Sequence, residues 1–267
     1  MANDVHLGHK ARKRFGQNFL NDDFIIGQIV DAIDPDDDHI LVEIGPGLGA
    51  ITFPVLDRVK HLNVVELDRD LVQRFEEDQL LKRRLTVYQA DAMKFDFASL
   101  ISDEKKLKVF GNLPYNISTP LLFHLFNFCE QIADMHFMLQ KEVVDRMCAE
   151  PGSKTFGKLS VMTQYYCDAY PVVRVGPECF TPPPKVESSV VRLIPKASRA
   201  DVSPKVLEKV AAAAFNQRRK TIRNSLKDIV SADEITELGL DPTIRAEYLS
   251  LNDFVKIAQY VEAKDNK

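Results

Sequence analysis

The chain has 267 residues, enough for one large domain or two unequal ones. Hydrophobic residues make up 45% and charged residues 28% of it, which excludes a disordered, collagen-like or disulfide-based protein. The 35 Lys and Arg against 39 Asp and Glu give a formal net charge of −4, which as an average argues against a nucleic-acid-binding protein.

The cysteines and the apolar segments carry no signal for a metal or a membrane. None of the four cysteines stands in a CxxC pair or at zinc-ligand spacing from a His, so we expect reduced thiols and no metal. No apolar run approaches the ~18 residues of a membrane helix, and the N-terminus has no hydrophobic stretch typical of a secretory signal. These patterns predict a cytoplasmic protein.

Strands and helices alternate in the first part of the chain. The spacing of apolar residues predicts helices over 22–33 and 69–78. Apolar runs predict buried strands over 40–45, 61–68, 85–91 and 107–112. A strand followed by a helix, repeated, indicates a doubly wound α/β sheet.

The middle of the chain continues this pattern. A helix capped by Ser118 or Thr119 is predicted, with Pro120 in its first turn. It is followed by a strand over 136–140, helices over 141–150 and 159–169, and strands over 170–175 and 188–194 that we expect to form a hairpin at one sheet edge. The prediction amounts to about seven strands.

The composition changes after Pro195, where a segment typical of a linker begins. Beyond it the sequence predicts helices over 206–215, 221–230 and 252–262. We therefore predict an α/β domain over 1–195, which includes a basic N-terminal arm, and a small all-α domain over 196–267.

Glycines at 45, 47 and 49 lie directly after a predicted strand, where the chain must turn tightly and let a ligand approach the backbone. Alone, such a triad also fits a tight turn without a ligand. Glu66 ends the next strand, 21 residues after Gly45, where a carboxylate can accept hydrogen bonds from both hydroxyls of a ribose. Gly45, Gly47 and Glu66 together predict a cofactor that contains a nucleoside.

Two cofactors fit this turn, because Gly45, Gly47 and Ala50 also match the G-x-G-x-x-A pattern of dinucleotide sites. Asp91 closes the following strand and can bind an adenine amino group, or it can cap the residues after it. Acidic strand ends without a basic group favour a cofactor that lacks phosphate. S-adenosylmethionine has no phosphate and carries a sulfonium cation, so we favour it over the alternative, an NAD-dependent oxidoreductase.

The fourth strand ends in Asn112-Leu113-Pro114-Tyr115, beside the same crevice. An adenine amino group is a poor nucleophile, because its lone pair is delocalised into the ring. The Asn112 side-chain oxygen and the Leu113 carbonyl can each accept one amino hydrogen, Pro114 removes a competing donor, and Tyr115 can stack on the base. Without this context, the four residues would be a turn with a buried Tyr.

Eight segments, in order from about His9 to Lys227, extend these motifs: HKARKRFGQNFLND, VEIGPGLGAIT, VVELDRDL, DAM, FGNLPYNISTPLLFHLF, MLQKEVVDRM, CFTPPPKVESSVVRL and FNQRRKTIRNSLK. In these segments the sequence resembles the bacterial small-subunit ribosomal RNA adenine dimethyltransferases. The resemblance implies a Rossmann-like, S-adenosylmethionine-dependent methyltransferase domain. It also implies dimethylation of two adjacent adenosines in the hairpin near the 3′ end of 16S rRNA, within the immature 30S subunit.

The resemblance also implies roles for single residues. The donor site would be lined by Asn18, Leu20, Gly45, Gly47, Glu66, Asp91 and Asn112. Asn112 to Tyr115 would hold the target base. Phe180 would pack on the other face of that base, whereas without the resemblance it would be interpreted as a core aromatic.

Two basic clusters modify the conclusion from net charge. Residues 205–227 hold seven basic side chains against one acidic one, and within them Arg218, Arg219, Lys220 and Arg223 are predicted to contact RNA phosphates. The other interpretation is a solvated helix face. Lys10, Arg12, Lys13 and Arg14 form a second cluster next to Asn18 and Leu20, which we expect to clamp RNA over the donor site.

Two further functions stay open beside the small-subunit enzyme, which we expect to be a monomer. One is a 23S rRNA adenine methyltransferase of the macrolide-resistance type. The other is a non-catalytic ribosome assembly or transcription factor on the same fold. FTPPPKV together with NQRRKTIRNSL favours the small-subunit enzyme, and intact Asn112, Glu66 and Asp91 argue against loss of catalysis.

Overall fold

The computed structural model describes residues 5–6, 9–10, 18–101 and 105–265. The strands are β1 (Val5–His6), β2 (His9–Lys10), β3 (Phe19–Leu20), β4 (Ile40–Ile44), β5 (Leu62–Glu66), β6 (Leu85–Gln89), β7 (Leu107–Asn112), β8 (Ile132–Gln140), β9 (Cys167–Val175), β10 (Phe180–Thr181) and β11 (Ser188–Pro195). The helices are α1 (Asp23–Ile33), α2 (Thr52–Leu56), α3 (Arg69–Glu77), α4 (Ser118–Leu125), α5 (Lys141–Met147), α6 (Lys158–Tyr166), α7 (Pro204–Asn216), α8 (Ile222–Ser225), α9 (Ala232–Glu237) and α10 (Leu251–Asp265).

Seven of these strands form one sheet in the order β6-β5-β4-β7-β8-β11-β9. The pairs from β6 to β8 are parallel, and β11 is antiparallel to β8. The predicted seven-stranded α/β sheet is confirmed, and the two last strands lie side by side at one edge, as expected. The chain passes outward from β4 through β5 to β6 and then returns to β7 on the other side of β4. Ligands bind at such a switch point, outside the carboxyl ends of the strands.

Helix α1 shows how the sequence positions an element on this sheet. Asp22 accepts a hydrogen bond from the backbone amide of Ile25 at 3.0 Å and so caps the helix. Every third or fourth residue is apolar, and Ile26, Ile29, Val30 and Ile33 are buried. These side chains join the same hydrophobic cluster as residues of β4, β7 and β8, so the start of α1 is fixed next to the carboxyl end of β4.

Several predicted helix boundaries are wrong, and among them the helix predicted over 141–150 ends at Met147. Helix α4 is preceded by Ile117 and has no side-chain cap, since the Ser118 hydroxyl donates backward to the Tyr115 carbonyl at 3.1 Å. The helix predicted over 159–169 ends at Tyr166, because Cys167–Ala169 already belong to β9. The helix predicted over 221–230 is confined to Ile222–Ser225, because the chain then turns and Ser231 caps α9 instead.

The contacts divide the chain into two compact units. Unit 1 comprises Met1–Val144 and Tyr170–Pro195, and unit 2 comprises Asp145–Ala169 and Lys196–Lys267. Within unit 2 the Tyr165 hydroxyl donates to the carbonyls of Ala200 and Val202, so α6 is bound to the segment that follows the sheet. The division at residue 195 therefore stays a prediction, and unit 2 adds α6 to the C-terminal helices.

Within the described ranges, no helix is both long and apolar enough to cross a membrane. The same residues contain no group of three His, Cys, Asp or Glu arranged to hold a metal ion. All four cysteines are free thiols.

Candidate active site

The glycine turn follows β4 at the switch point of the sheet. Gly45 has a φ of 67° and Gly47 a φ of 58°, in the left-handed region where side chains with a Cβ are strained. The Gly45 amide donates to the Val65 carbonyl at 2.9 Å, which joins the turn to the end of β5. The tight turn predicted from the glycines is therefore present, and its backbone borders the crevice.

Two cavities adjoin this turn within unit 1, and both are lined by Phe19, Gly45, Gly47 and Asn112. The first, of about 310 Å³, also contacts six of the predicted site residues: Asn18, Glu66, Asp91, Leu113, Pro114 and Tyr115. The second, of about 440 Å³, contacts Leu20, Asp23, Glu43 and the residues from Pro46 to Ile51. The structure thus brings the predicted donor residues and the Asn112–Tyr115 segment together around two cavities that share four lining residues.

Glu66 lies at the end of β5 and is 7% exposed. One carboxylate oxygen accepts a hydrogen bond from the Asp68 amide at 2.8 Å. Burial raises the pKa of Glu66, and hydrogen bonds from the amides of Asp68, Gly47 and Leu67 oppose that rise. The main chain thereby fixes the carboxyl group at the cavity wall, where it can accept hydrogen bonds from a ribose.

Asp91 follows β6 and lines the same 310 Å³ cavity. One of its carboxylate oxygens accepts a hydrogen bond from the Met93 amide at 3.0 Å. This oxygen therefore caps a turn, and the helix cap offered as the alternative is not present, because residues 92–94 form a turn and the next helical turn is capped by Asp96. Binding of an adenine amino group by Asp91 stays a prediction, and the two roles are compatible because a carboxylate has four acceptor positions.

Asn112 ends β7 and contacts both cavities. Its side-chain nitrogen donates to the Asn18 carbonyl at 3.1 Å. With the nitrogen fixed in this way, the side-chain oxygen is the acceptor that remains for a ligand. The Asn18 backbone therefore orients the amide as the predicted role requires.

Tyr115 is held on two sides. Its hydroxyl lies 2.7 Å from the Ser188 hydroxyl, and its carbonyl accepts the Ser118 hydroxyl. Burial raises the pKa of Tyr115, so the phenol is neutral in the physiological range. A fixed, neutral ring at the cavity wall is suited to stacking on a base.

Glu43 is a site residue that the sequence analysis missed. It is fully buried in β4, lines the 440 Å³ cavity, and accepts a hydrogen bond from the Thr52 hydroxyl at 2.6 Å. Burial, with a smaller contribution from the charge of Glu66, raises its pKa to about 8. The one signal in the sequence is a carboxylate inside the otherwise apolar strand ILVEI.

Phe19 is the second missed residue, although it stands between the predicted Asn18 and Leu20 and lines both cavities. Phe180 lies elsewhere. It pairs with Leu20 across β3 and β10, is 3% exposed within the hydrophobic core, and lines neither cavity. Its role against the target base stays a prediction.

Among the described residues that line the cavities, the ionisable side chains are acidic: Asp23, Glu43, Glu66 and Asp91. Burial keeps Glu43 largely neutral at neutral pH. A pyrophosphate would be repelled by a negatively charged carboxylate in this lining, whereas a cation would be attracted. The linings therefore fit S-adenosylmethionine, which is positively charged at sulfur and lacks phosphate.

The two basic clusters are described to different extents. Arg12, Lys13 and Arg14 lie outside the described residues, and for Lys10 only the backbone strand is described. In unit 2, Arg218 donates to the carbonyls of Lys154 and Phe156 at 3.0 and 2.9 Å. Arg219, Lys220 and Arg223 are exposed. Contact of any of these residues with RNA stays a prediction.

Comparisons with known proteins agree with this geometry. A family model described as ribosomal RNA adenine dimethylase matches residues 8–263. A protein of Pseudoalteromonas translucida (strain TAC 125) named ribosomal RNA small subunit methyltransferase A is 65% identical over 269 residues, covering 100% of both chains. A protein of the same name from Shewanella amazonensis (strain ATCC BAA-1098 / SB2B) is 58% identical over 265 residues, covering 98% of each.

Two solved structures have a similar fold. A dimethyladenosine transferase from Plasmodium falciparum aligns with a TM-score of 0.80 and 25% identity, over 92% of this chain and 98% of that one. The 23S rRNA methyltransferase ErmE aligns with a TM-score of 0.71 and 21% identity, over 92% of this chain and 100% of that one.

Proposed function

The chain belongs to the ribosomal RNA adenine dimethylase family, and from that premise we propose that it dimethylates two adjacent adenosines in the 3′-terminal hairpin of 16S rRNA. Each exocyclic amino group would receive two methyl groups from S-adenosylmethionine. The observation that carries the proposal is Asn112, which lines both cavities and whose side-chain nitrogen donates to the Asn18 carbonyl, so that its side-chain oxygen is oriented as an acceptor for an amino group.

Residues on three strand ends would hold the donor. Glu66 would accept hydrogen bonds from the ribose and Asp91 from the adenine amino group, while the backbone at Gly45 and Gly47 allows close approach. Asn18 and Leu20 complete this set. Asn18 precedes β3 and lines the 310 Å³ cavity, and Leu20 lies in β3 and lines the 440 Å³ cavity. When bound, the donor supplies an electrophilic methyl group on a positively charged sulfur.

The target base would be held by the segment that follows β7. The Asn112 side-chain oxygen and the Leu113 carbonyl accept the two amino hydrogens, Pro114 offers no competing amide, and Tyr115 stacks on the ring. The nitrogen becomes acidic once it is methylated, so its proton can pass to water without a strong base. Holding the two reactants in line then provides most of the rate enhancement.

The substrate class follows from the relatives. Proteins at 65% and 58% identity over nearly the whole chain are named for the small ribosomal subunit, which supports 16S rRNA over 23S rRNA. The likeness to ErmE concerns the fold alone. We further propose that the enzyme acts as a monomer in the cytoplasm on immature 30S subunits, and that RNA phosphates contact Arg219, Lys220, Arg223 and the N-terminal cluster.

Two of the alternatives are weakened on separate grounds. The family assignment removes the NAD-dependent oxidoreductase. A purely non-catalytic assembly factor has no need of the arrangement of Glu66, Asp91 and Asn112 around one cavity. Binding during ribosome assembly can accompany catalysis.

The test is transfer of labelled methyl groups from S-adenosylmethionine to 30S particles that lack the modification, with 50S particles as the control. We expect label on two adjacent adenosines of the 30S particle and none on the 50S particle. Label on 50S particles alone would establish the 23S alternative instead.

The Asn112→Ala variant tests the assigned role of the side-chain oxygen. Transfer should fall at least about 100-fold, as for loss of a group that stabilises the transition state. Co-sedimentation with 30S particles should persist, because the variant leaves the basic surface of unit 2 unchanged. Full transfer activity in this variant would contradict the proposed function of Asn112.

A further inference from the structure

The turn that carries Asp91 is fixed at both of its ends. On one side the Ala90 amide donates to the Glu66 carbonyl at 3.0 Å, which joins β6 to the end of β5. On the other side the Phe95 carbonyl lies 2.8 Å from Nε2 of His124. A carbonyl oxygen can only accept, so Nε2 carries the hydrogen and His124 is the donor. The first contact comes from the sheet, whereas the second comes from α4.

The His124 contact lies among aromatic rings. The imidazole packs against Phe128 with ring centroids 5.2 Å apart and against Phe97 at 6.0 Å. The Phe95 ring packs edge-on against Phe97 at 5.1 Å and Tyr88 at 5.2 Å. Water is thereby partly excluded from around the hydrogen bond, which strengthens it. The end of the turn is held by packing and by one directional bond.

Helix α4 joins this contact to the segment that would hold the target base. The helix runs from Ser118 to Leu125, and residues 112–117 lead directly into its first turn. The Ile117 carbonyl accepts the Leu121 amide, so the segment and the helix form one continuous hydrogen-bonded unit. His124 is in the last turn of that helix. Helix α4, which follows the segment that begins at Asn112, therefore contacts through His124 the turn that begins at Asp91.

We propose that His124 is a positioning residue, which sets the Asp91 turn against the Asn112–Tyr115 segment and so aligns the donor adenine with the target base. The inference rests on the proposed function, because it concerns the site of the same two ligands. His124 itself lines neither cavity and acts through Asp91. The competing explanation is that His124 only fills the aromatic cluster.

Four variants and one ligand separate these explanations. His124→Phe keeps an aromatic ring and removes the donor, His124→Gln keeps an N–H donor, and Asp91→Asn removes the carboxylate. The fourth variant combines His124→Phe with Asp91→Asn. Calorimetry with S-adenosylhomocysteine, the product form of the donor, measures the Kd of each. Loss of one hydrogen bond predicts a Kd about five to ten times higher for His124→Phe, and His124→Gln should restore it to within about twofold.

The double variant decides the mechanism. If His124 acts through Asp91, His124→Phe should change the Kd less than about twofold once Asp91→Asn is present. An equal factor in both backgrounds would overturn the proposal, since a residue that only fills the core would act independently of Asp91. Asn127→Ala is the matched control, because Asn127 donates to carbonyls of Phe123 and His124 at the same helix end and should leave the Kd unchanged.

The wild-type measurement distinguishes this proposal from the function on which it rests. A wild type that binds S-adenosylhomocysteine, together with independent effects of His124 and Asp91, overturns the role of His124 alone. A wild type that fails to bind it overturns the proposed function and this role with it.

Discussion

Glu43 is a carboxyl group buried beside the glycine turn, and its ionisation links the stability of the fold to pH. Burial raises its pKa from 4.5 to about 8. Between these values the folded protein holds a proton that the unfolded chain has released. The stabilisation by the neutral carboxyl is therefore complete below pH 4.5 and is lost as the pH rises through about 8.

We expect Glu43→Gln to lose less stability than the wild type between pH 6.5 and pH 8. One such group costs the wild type at most about 1.4 kcal/mol per pH unit, whereas the glutamine amide does not ionise. The measurement begins at pH 6.5 to avoid the titration of His136. Burial lowers the pKa of His136 from 6.5 to about 4, so this group changes the pH dependence of stability mainly below pH 6.5. Urea unfolding at the two pH values measures the difference.

Glu76→Gln is the matched control for this measurement, since Glu76 is exposed on α3. That variant should keep the pH dependence of the wild type. If Glu43→Gln and the wild type lost stability equally, Glu43 would not be neutral in the folded protein at neutral pH.

The residues of the site differ in how far the sequence could predict them. Gly45, Glu66, Asp91 and Asn112 were predictable, because each ends or follows a strand and the ends of parallel strands meet at one edge. The sequence did not indicate that Phe19, rather than Phe180, lines the cavities. The pairing of Phe180 with Leu20 and of Thr181 with Phe19 decides which ring faces inward, and neighbouring residues of a strand point to opposite sides. The two strands are 160 residues apart, and the sequence of either segment alone does not predict the register in which they pair.

At the scale of elements, Gly111 allows two central strands of the sheet, β4 and β7, to approach each other closely next to the site. It lies in β7 opposite the end of β4, and a Cβ atom there would lie 2.2 Å from the Ile44 carbonyl oxygen. That atom belongs to the backbone of the sheet and cannot rotate away. Gly45 follows β4 and Asn112 ends β7, so any separation of the two strands would also displace the site.

We expect Gly111→Ala to lower the free energy of unfolding by about 2 to 3 kcal/mol, through overpacking, and to weaken binding of S-adenosylhomocysteine. Thermal unfolding and calorimetry measure the two effects. Gly27→Ala in α1 is the control. Among the described residues, no atom outside the adjoining backbone of the helix lies within 4 Å of a Cβ at that position, so this variant should gain about 0.5 to 1 kcal/mol from its higher helix propensity. Equal effects of the two substitutions would contradict the importance of the close strand approach.

The elements were predictable where local pattern and tertiary contacts agree. The boundaries of β7 coincide with the predicted 107–112, and α1 (Asp23–Ile33) differs from the predicted 22–33 by one residue. The helix predicted over 221–230 was wrong at its end: α8 stops at Ser225, and Ser231 then caps α9. The first amides of α8, those of Ile222 and Arg223, donate to the distant carbonyls of Ile244 and Pro242. A local apolar pattern contains no information about such partners.

For the whole molecule, the net charge of −4 is the sum of a negatively charged part and a positively charged part of the chain. Residues 1–195 carry a formal charge of −6 and residues 196–267 a charge of +2. The acidic excess includes the cavity carboxylates, which suit a cationic donor. The basic excess includes Arg219, Lys220 and Arg223, which are exposed in unit 2. A single average therefore hides an acidic cavity lining and an exposed basic segment, and only the basic segment carries the charge that attracts RNA phosphates.

Arg218 and its neighbours should respond differently to substitution, although they stand side by side in the sequence. Arg218 donates to the carbonyls of Lys154 and Phe156, so Arg218→Ala should lower the Tm of the protein and leave the salt dependence of RNA binding nearly unchanged. The double variant Arg219→Ala with Lys220→Ala should keep the Tm. Its slope of log K against log salt should become shallower by about 1.4 to 1.8, because each of the two lost phosphate contacts contributes about 0.7 to 0.9.

Titration of the 3′-terminal hairpin of 16S rRNA at several salt concentrations measures these slopes, and thermal unfolding of the same samples measures the Tm. An unchanged slope in the double variant would mean that the RNA surface lies elsewhere. A shallower slope with an unchanged Tm in Arg218→Ala would mean that its guanidinium leaves the two carbonyls and contacts phosphate. The two readouts thus separate a side chain that shapes the surface from those that bind the ligand, which charge counts along the sequence cannot do.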